Sequence, residues 1–307
     1  MNNKILNDIL NQCHSYTRLG KSAGYIPELS NVDPKYLGIY VVTIEGESYF
    51  SGDCLQQFTM QSVSKVITFL CSLLDNDINK LLRKVSFEPT SSGFNSIINL
   101  ETKNENKPLN PMINSGAIAT ITMVKGETAE DKFQRILNLV RELASNPEID
   151  VEQSIYLSEK MTGARNRALA YYMQSTGIIS DYDVEEILDV YFRVCSLNVT
   201  CKDLAQIALV LANNGCNLEG KCYFSEDIAR TVKSVMMLCG MYDESGEYAV
   251  NVGIPSKSGV GGGIMAVVPG KMGIGVFGPA LNQKGTSIAG YKVLEMLSKQ
   301  LSLSIFE

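Results

Sequence analysis

Between Glu247 and Gly278 the chain runs EYAVNVGI, SGVGGGIMAVV and MGIGVFG, three strand-like segments separated only by short Gly-, Pro- and Ser-containing breaks. No helix fits in those gaps, so the strands must be joined by turns and lie antiparallel. Pro269-Gly270 supplies one such turn. Near the other end, YLGIYVVTIEGESYFSGD reads as two strands around Glu45-Gly46, a hairpin signal. Strands at both ends with a long helical block between them predict one antiparallel sheet interrupted by an insertion. The expected class is α+β, with a sheet lobe at about 1–62 and 222–307 and an all-helical lobe at about 63–221. A cleft between two such lobes is a common place for a site.

The helical signals are strong. The first helix carries Ile5, Leu6, Ile9, Leu10 and Cys13 at helical spacing. TAEDKFQRILNLVREL has Thr128 as N-cap, acidic residues in its first turn and a stripe at Phe133, Ile136, Leu137 and Val140. NPMINSGAIATITMV places Pro111 at an expected helix start. Further helices are predicted at ARNRALAYYMQS, DVEEILDVYFRVC, CKDLAQIALVLANNG, SEDIARTVKSVMML and SIAGYKVLEMLSKQL.

Composition removes several function classes. A net charge of −6 with no run of Lys and Arg argues against a nucleic-acid partner. No apolar run approaches a membrane span, and the N-terminus lacks the h-region of a signal peptide. The eight cysteines include no C-x-x-C, and the single histidine cannot complete a His-containing zinc set of the usual kinds, so no metal or cofactor is expected. The cysteines read as reduced and buried, and the setting as cytoplasmic.

With only His14 available, nucleophilic chemistry needs another base. TMQSVSKVITFL holds the one S-x-x-K of the chain, Ser62 and Lys65. On a helix, i and i+3 share a face, so the amine reaches the hydroxyl. Val63, Val66, Ile67 and Phe69 would desolvate the lysine and lower its pKa. Alone, the pair reads better as the polar start of a buried helix with a snorkelling lysine. Lys257-Ser258-Gly259 heads a predicted strand, as the K-T-G of serine β-lactamases and penicillin-binding proteins does. Their third motif, Ser-Asp-Asn, is missing. Gly273, Gly275 and Gly278 match a dinucleotide fingerprint, but they lie within a strand and Pro279 follows instead of a helix. Strand glycines beside a packed helix are the better reading.

The stretches GYIPEL, FTMQSVSKV, NPMINSGAI, SEKMTGARNRALAYYM, ILDVYFRVCSLNVTCKDLA, CGMYDESGEYA and GIPSKSGVGGGI run in order from residue 24 to residue 264. On these the chain resembles the serine-dependent glutaminases, which have a β-lactamase/transpeptidase-like fold; it departs from their pattern at Ala164, where an Asp often sits. The resemblance implies hydrolysis of L-glutamine to L-glutamate and ammonia, with no cofactor, and a homo-oligomer, dimer or tetramer. It implies Ser62 as nucleophile, Lys65 as its base and Tyr242 as completing the proton relay. Asn114, Glu159, Asn166 and Tyr191 are implied as substrate contacts, Val260 as an oxyanion donor through its N–H, and Tyr25 as closing over the site. A β-lactamase-like hydrolase and a catalytically silent glutamine-binding protein are the alternatives.

Overall fold

The computed structural model describes residues 1–24, 26–91, 93–102 and 107–307. The strands are β1 (Gly38–Thr43), β2 (Ser48–Gly52), β3 (Phe58–Thr59), β4 (Asn198–Val199), β5 (Ser256–Ser258), β6 (Gly263–Val268) and β7 (Met272–Phe277). The helices are α1 (Asn3–Cys13), α2 (Ser64–Asp75), α3 (Ile78–Leu82), α4 (Ile98–Thr102), α5 (Asn114–Thr122), α6 (Ala129–Ala144), α7 (Gln153–Thr162), α8 (Ala164–Ser175), α9 (Val184–Cys195), α10 (Cys201–Ala212), α11 (Glu226–Cys239), α12 (Ser245–Asn251) and α13 (Ile288–Leu301).

Five strands form one antiparallel sheet in the order β2-β1-β7-β6-β5. The N-terminal hairpin thus joins the C-terminal strands through β1 and β7, with Gly38 opposite Phe277 and Thr43 opposite Met272. Period-two alternation divides the side chains between two faces. Ile39, Val41, Ile264, Ala266, Ile274 and Val276 pack with α1 and α13. The other face meets α10, and it does so at glycines. A Cβ on Gly273 would lie 2.2 Å from both the Ala205 carbonyl oxygen and the Leu209 nitrogen, and one on Gly275 would lie 2.1 Å from the Cys201 carbonyl oxygen. Two bare Cα positions therefore let a helix backbone lie directly on the strand. We expect Gly273→Val to lower the melting temperature by many degrees or prevent soluble expression, because backbone atoms cannot give way as a side-chain tip can. A thermal melt checks it.

α2 is the buried axis of the helical lobe and packs against α5, α6 and α11. α10 lies within the expected helical segment, yet it covers the sheet, and one apolar cluster runs from α2 and α6 through α10 to Met265, Val267 and Phe277. Among the described residues, no helix is long and apolar enough to cross a membrane.

Three expectations need correction. EYAVNVGI was expected as a strand, but residues 245–251 form α12. In a strand Tyr248, Val250 and Val252 would share a face; here Tyr248 and Val252 are 1% exposed while Val250 is 86% exposed, the i, i+4 pattern of a helix. Lys257 and Ser258 do not head the long strand. They form β5, the short edge strand, and the glycines after them turn the chain into β6. The cysteines are not all reduced: six are free and buried, but Cys216 and Cys222 form a disulfide. These two lie outside the apolar helices, on a surface turn after α10 where the Asn217 N–H donates to the Lys221 carbonyl at 2.9 Å and brings them opposite each other. A smaller difference is that α5 begins at Asn114, not at Pro111.

Candidate active site

β3, pairing with β4, delivers the chain into a 3₁₀ turn, Gln61–Val63, that runs straight into α2. Gln61 adopts φ 47°, a left-handed conformation unusual for a side-chain-bearing residue and of the kind that clusters at functional sites. Ser62 follows it, and Lys65 lies in the first turn of α2. The expected i, i+3 contact is present: Lys65 Nζ donates to Ser62 Oγ at 2.6 Å and to Asn114 Oδ1 at 3.0 Å. Lys65 is 1% exposed, and Val63, Val66, Ile67 and Phe69 are fully buried around it. Burial pulls its pKa from the usual 10.5 down to about 8, against the opposing influence of Cys195 and Glu159.

The sheet edge closes the site from the other side. Gly259 and Gly261 lie so close to the segment leading into the Gln61–Val63 turn that a Cβ on them would come within 2.6 Å of the Met60 carbonyl oxygen and 2.4 Å of the Thr59 carbonyl oxygen, respectively. The Val260 peptide between them is thereby pressed against the segment that carries Ser62. On β5, Lys257 is fully buried and donates to the carbonyls of Gly240 at 2.8 Å and Ser258 at 2.6 Å. Burial, reinforced by the charge of Lys65, holds Lys257 well below the ordinary lysine range. Its ammonium sits 4.0 Å from the centroid of the Tyr242 ring. Tyr242, 4% exposed, donates to the Ser258 carbonyl at 3.2 Å, and its phenol lies near enough to Ser62 to feel its side chain; burial pushes that phenol up to about 12.

A cavity of about 90 Å³ opens over Ser62. Drug-sized pockets run to roughly 300–1,000 Å³, so this one suits a much smaller metabolite. Ser62, Asn114, Glu159, Asn166 and Tyr191 line it, together with Gln61, Phe94, Arg165 and Cys195. Asn114, at the start of α5, donates from Nδ2 to Asn166 Oδ1 at 2.8 Å. Glu159 is not a solvated helix residue: it is 7% exposed, and burial raises its carboxyl from 4.5 to about 7, against a hydrogen bond from Gln61 and attraction to Lys65. Tyr191 is also buried, with its ring centroid 5.8 Å from Lys65 Nζ.

The structure thus brings Ser62, Lys65, Asn114, Glu159, Asn166, Tyr191 and Tyr242 together, with Val260 beside the turn that carries Ser62. Tyr25 lies outside the described residues; its neighbour Ile26 lines the cavity. His14 is exposed in the turn after α1, away from the lining. Four participants were not singled out as site residues from the sequence: Gln61, Cys195, Lys257 and Ser258. The Lys-Ser-Gly triplet was signal enough for the last two. Ser258 Oγ is fully buried and has no hydrogen-bond partner among the described residues.

The glutaminase family model matches residues 20–306. The chain belongs to the glutaminase family. It is 54% identical over 302 residues to a glutaminase of Clostridium tetani, covering 98% of each chain, and 52% identical over 305 residues to one of Clostridium botulinum, covering 99% of this chain and all of that one. Among solved structures, a probable glutaminase of Bacillus subtilis superposes with a TM-score of 0.93 at 37% identity, covering 99% of this chain and 97% of that one. Another structure is the covalent complex of a Bacillus subtilis glutaminase with 5-oxo-L-norleucine, formed by reaction with 6-diazo-5-oxo-L-norleucine; it has a TM-score of 0.89 at 36% identity over 99% of both chains. The α+β architecture, an antiparallel sheet flanked by helices, is the β-lactamase-like one expected of the family.

Proposed function

We propose that this glutaminase hydrolyses the side-chain amide of L-glutamine through a glutamyl ester on Ser62. The observation that carries the reading is the buried 2.6 Å contact between Lys65 Nζ and Ser62 Oγ at the floor of a small cavity. Neutral Lys65 takes the Ser62 proton as Oγ attacks the amide carbon. The oxyanion forms against the N–H groups of Ser62 and Val260. A proton passes through the Lys65–Tyr242 relay to the amide nitrogen, the C–N bond breaks and ammonia leaves. Water then attacks the ester, gives its proton to the same base, and glutamate departs as Ser62 is re-protonated.

Glu159 is assigned the α-ammonium, a charge-assisted pairing in a dry wall. Asn114 already binds Lys65 and Asn166, which leaves the Asn166 amide as the freer donor for the α-carboxylate. A chain one methylene shorter misplaces its amide while these anchors hold, and misplacement of about 1 Å can cost on the order of a hundredfold. We therefore expect kcat/KM for asparagine to fall about a hundredfold below that for glutamine; comparable values would refute the anchoring.

The relative that reacts covalently with 6-diazo-5-oxo-L-norleucine supports a covalent route and supplies the direct test. Incubation of this chain with that compound, followed by peptide mass mapping, should place one adduct on Ser62 and none in Ser62→Ala. An adduct on any other residue sinks the assignment. We also infer a homo-oligomer in the cytoplasm: Leu157, Met161 and Tyr171 on α7 and α8 leave an apolar surface exposed, and six of the eight cysteines stay unpaired and buried although Cys216 and Cys222 are joined. Light scattering tests the first part.

A further inference from the structure

Tyr242 adopts φ 57°, the left-handed region, which a bulky aromatic residue occupies only when its surroundings hold it there. Part of the hold is local: Ser245 Oγ accepts from the Met241 N–H at 3.1 Å and donates to the Tyr242 carbonyl at 2.9 Å. The rest comes from a turn forty residues away. Residues 282–286 fold so that the Asn282 N–H donates to the Thr286 carbonyl at 2.9 Å and the Gly285 N–H to the Asn282 carbonyl at 3.1 Å. Asn282 Oδ1 accepts from the N–H groups of Lys284 at 2.9 Å and Thr286 at 3.1 Å, so this one side chain shapes its own turn. Its Nδ2 donates outward to Glu244 Oε1 at 2.9 Å, two residues beyond Tyr242. Lys284 faces Asp243, one residue beyond Tyr242, at 3.5 Å, an exposed and weaker contact.

The same turn also lies beside the ring. Gly285 has φ 88°, and a Cβ there would lie 3.1 Å from Val260 Cγ1, 3.8 Å from Phe94 Cε1 and 3.9 Å from Tyr242 Cε2. Its bare Cα leaves room for Val260, and a side chain there would also reach the Tyr242 ring. Phe94 packs on the ring from another side at 4.9 Å between centroids, and the Lys257 ammonium from a third.

We infer that Asn282 is a positioning residue: through its bond to Glu244 it locks the strained Tyr242 so that the phenol reaches Ser62. The inference rests on the reading of Tyr242 as part of the proton relay. Its mechanism is geometric. The Tyr242 hydroxyl donates to the Ser258 carbonyl beside Ser62, and a shift of about 1 Å is enough to cost on the order of a hundredfold in rate.

The test is steady-state kinetics on glutamine for Asn282→Ala, Glu244→Ala, Glu244→Gln and Tyr242→Phe, with the double variant Asn282→Ala/Tyr242→Phe and a melting curve for each. Asn282→Ala should lower kcat by about ten- to a hundredfold and leave KM within about twofold, since Glu159 and Asn166 are untouched. Glu244→Ala cuts the same bond without disturbing the turn, so it should repeat the loss even if Asn282→Ala folds poorly. Glu244→Gln keeps an oxygen that accepts from Asn282 and should recover most of it. In the Tyr242→Phe background, Asn282→Ala should cost little more, because its effect passes through the absent hydroxyl. A full additional loss there, or unchanged kcat in a folded Glu244→Ala, overturns the positioning role. Wild-type kcat in Tyr242→Phe instead overturns the relay reading itself, and the inference with it.

Discussion

Ser62→Ala abolishes ammonia release from glutamine while the protein keeps its helical circular dichroism and its melting temperature to within a few degrees. The hydroxyl is the only atom removed, and it accepts from Lys65 rather than capping a helix: the N-cap of α2 is Val63, without a side-chain cap bond. Fold stability thus loses one hydrogen bond, about 1 kcal/mol net. Turnover loses its covalent route entirely, and with units of this kind a single deletion costs nearly as much as removing the whole set. An ammonia assay beside a thermal melt measures both. Residual turnover within a factor of ten of wild type, in a folded variant, would move the nucleophile elsewhere.

Lys65→Arg is expected to lose roughly 10²–10⁴-fold in kcat/KM, the usual contribution of a positioned base. The guanidinium keeps the charge but stays protonated throughout the working range, so it cannot take the Ser62 proton. In the wild type the required form of Lys65 appears as pH rises through about 8, and the carboxylate of Glu159 appears through about 7. Both changes act in one direction, so kcat/KM rises with pH across this window, with apparent values that belong to the coupled pair. His14→Gln leaves the limb in place. A Lys65→Arg enzyme that retains most activity, or a rising limb that vanishes with His14, refutes the lysine base.

The same burial acts on folding. Folded Lys65 gives up its proton near pH 8 whereas the unfolded chain holds it to about 10.5, so the unfolded state binds more protons in between and stability rises with pH over that window. The difference is on the order of 3 kcal/mol, a cost carried in full below pH 8. Lys65→Met, although inactive, should therefore melt higher than wild type at pH 7.

Much of this was legible in the chain. The antiparallel sheet followed from strand segments too close together for helices, and the interrupted topology from their placement at both ends. Thr128 caps α6 with the reciprocal bonds that its spacing to Asp131 implies, and the glycines of β7 admit α10 as strand glycines beside a helix do. Short apolar runs carried less: EYAVNVGI fits both periods, and as α12 it buries Tyr248 and Val252 together in the apolar cluster beneath the sheet.

What local sequence determines is what neighbours along the chain decide: the i, i+3 approach of Lys65 to Ser62, and the apolar residues that dry it. What only the tertiary structure decided is every relation between distant segments. Glu159 has a carboxyl near 7 because α7, α9 and the nucleophile turn bury it together, and nothing within SEKMTG requires that burial. Tyr242 holds its left-handed backbone because Ser245 beside it and Asn282 forty residues on both fasten its segment. Desolvation and strain are properties of what surrounds a residue in space. Sequence names the residue, and the fold supplies the surroundings that make it an acid, a base or a clamp.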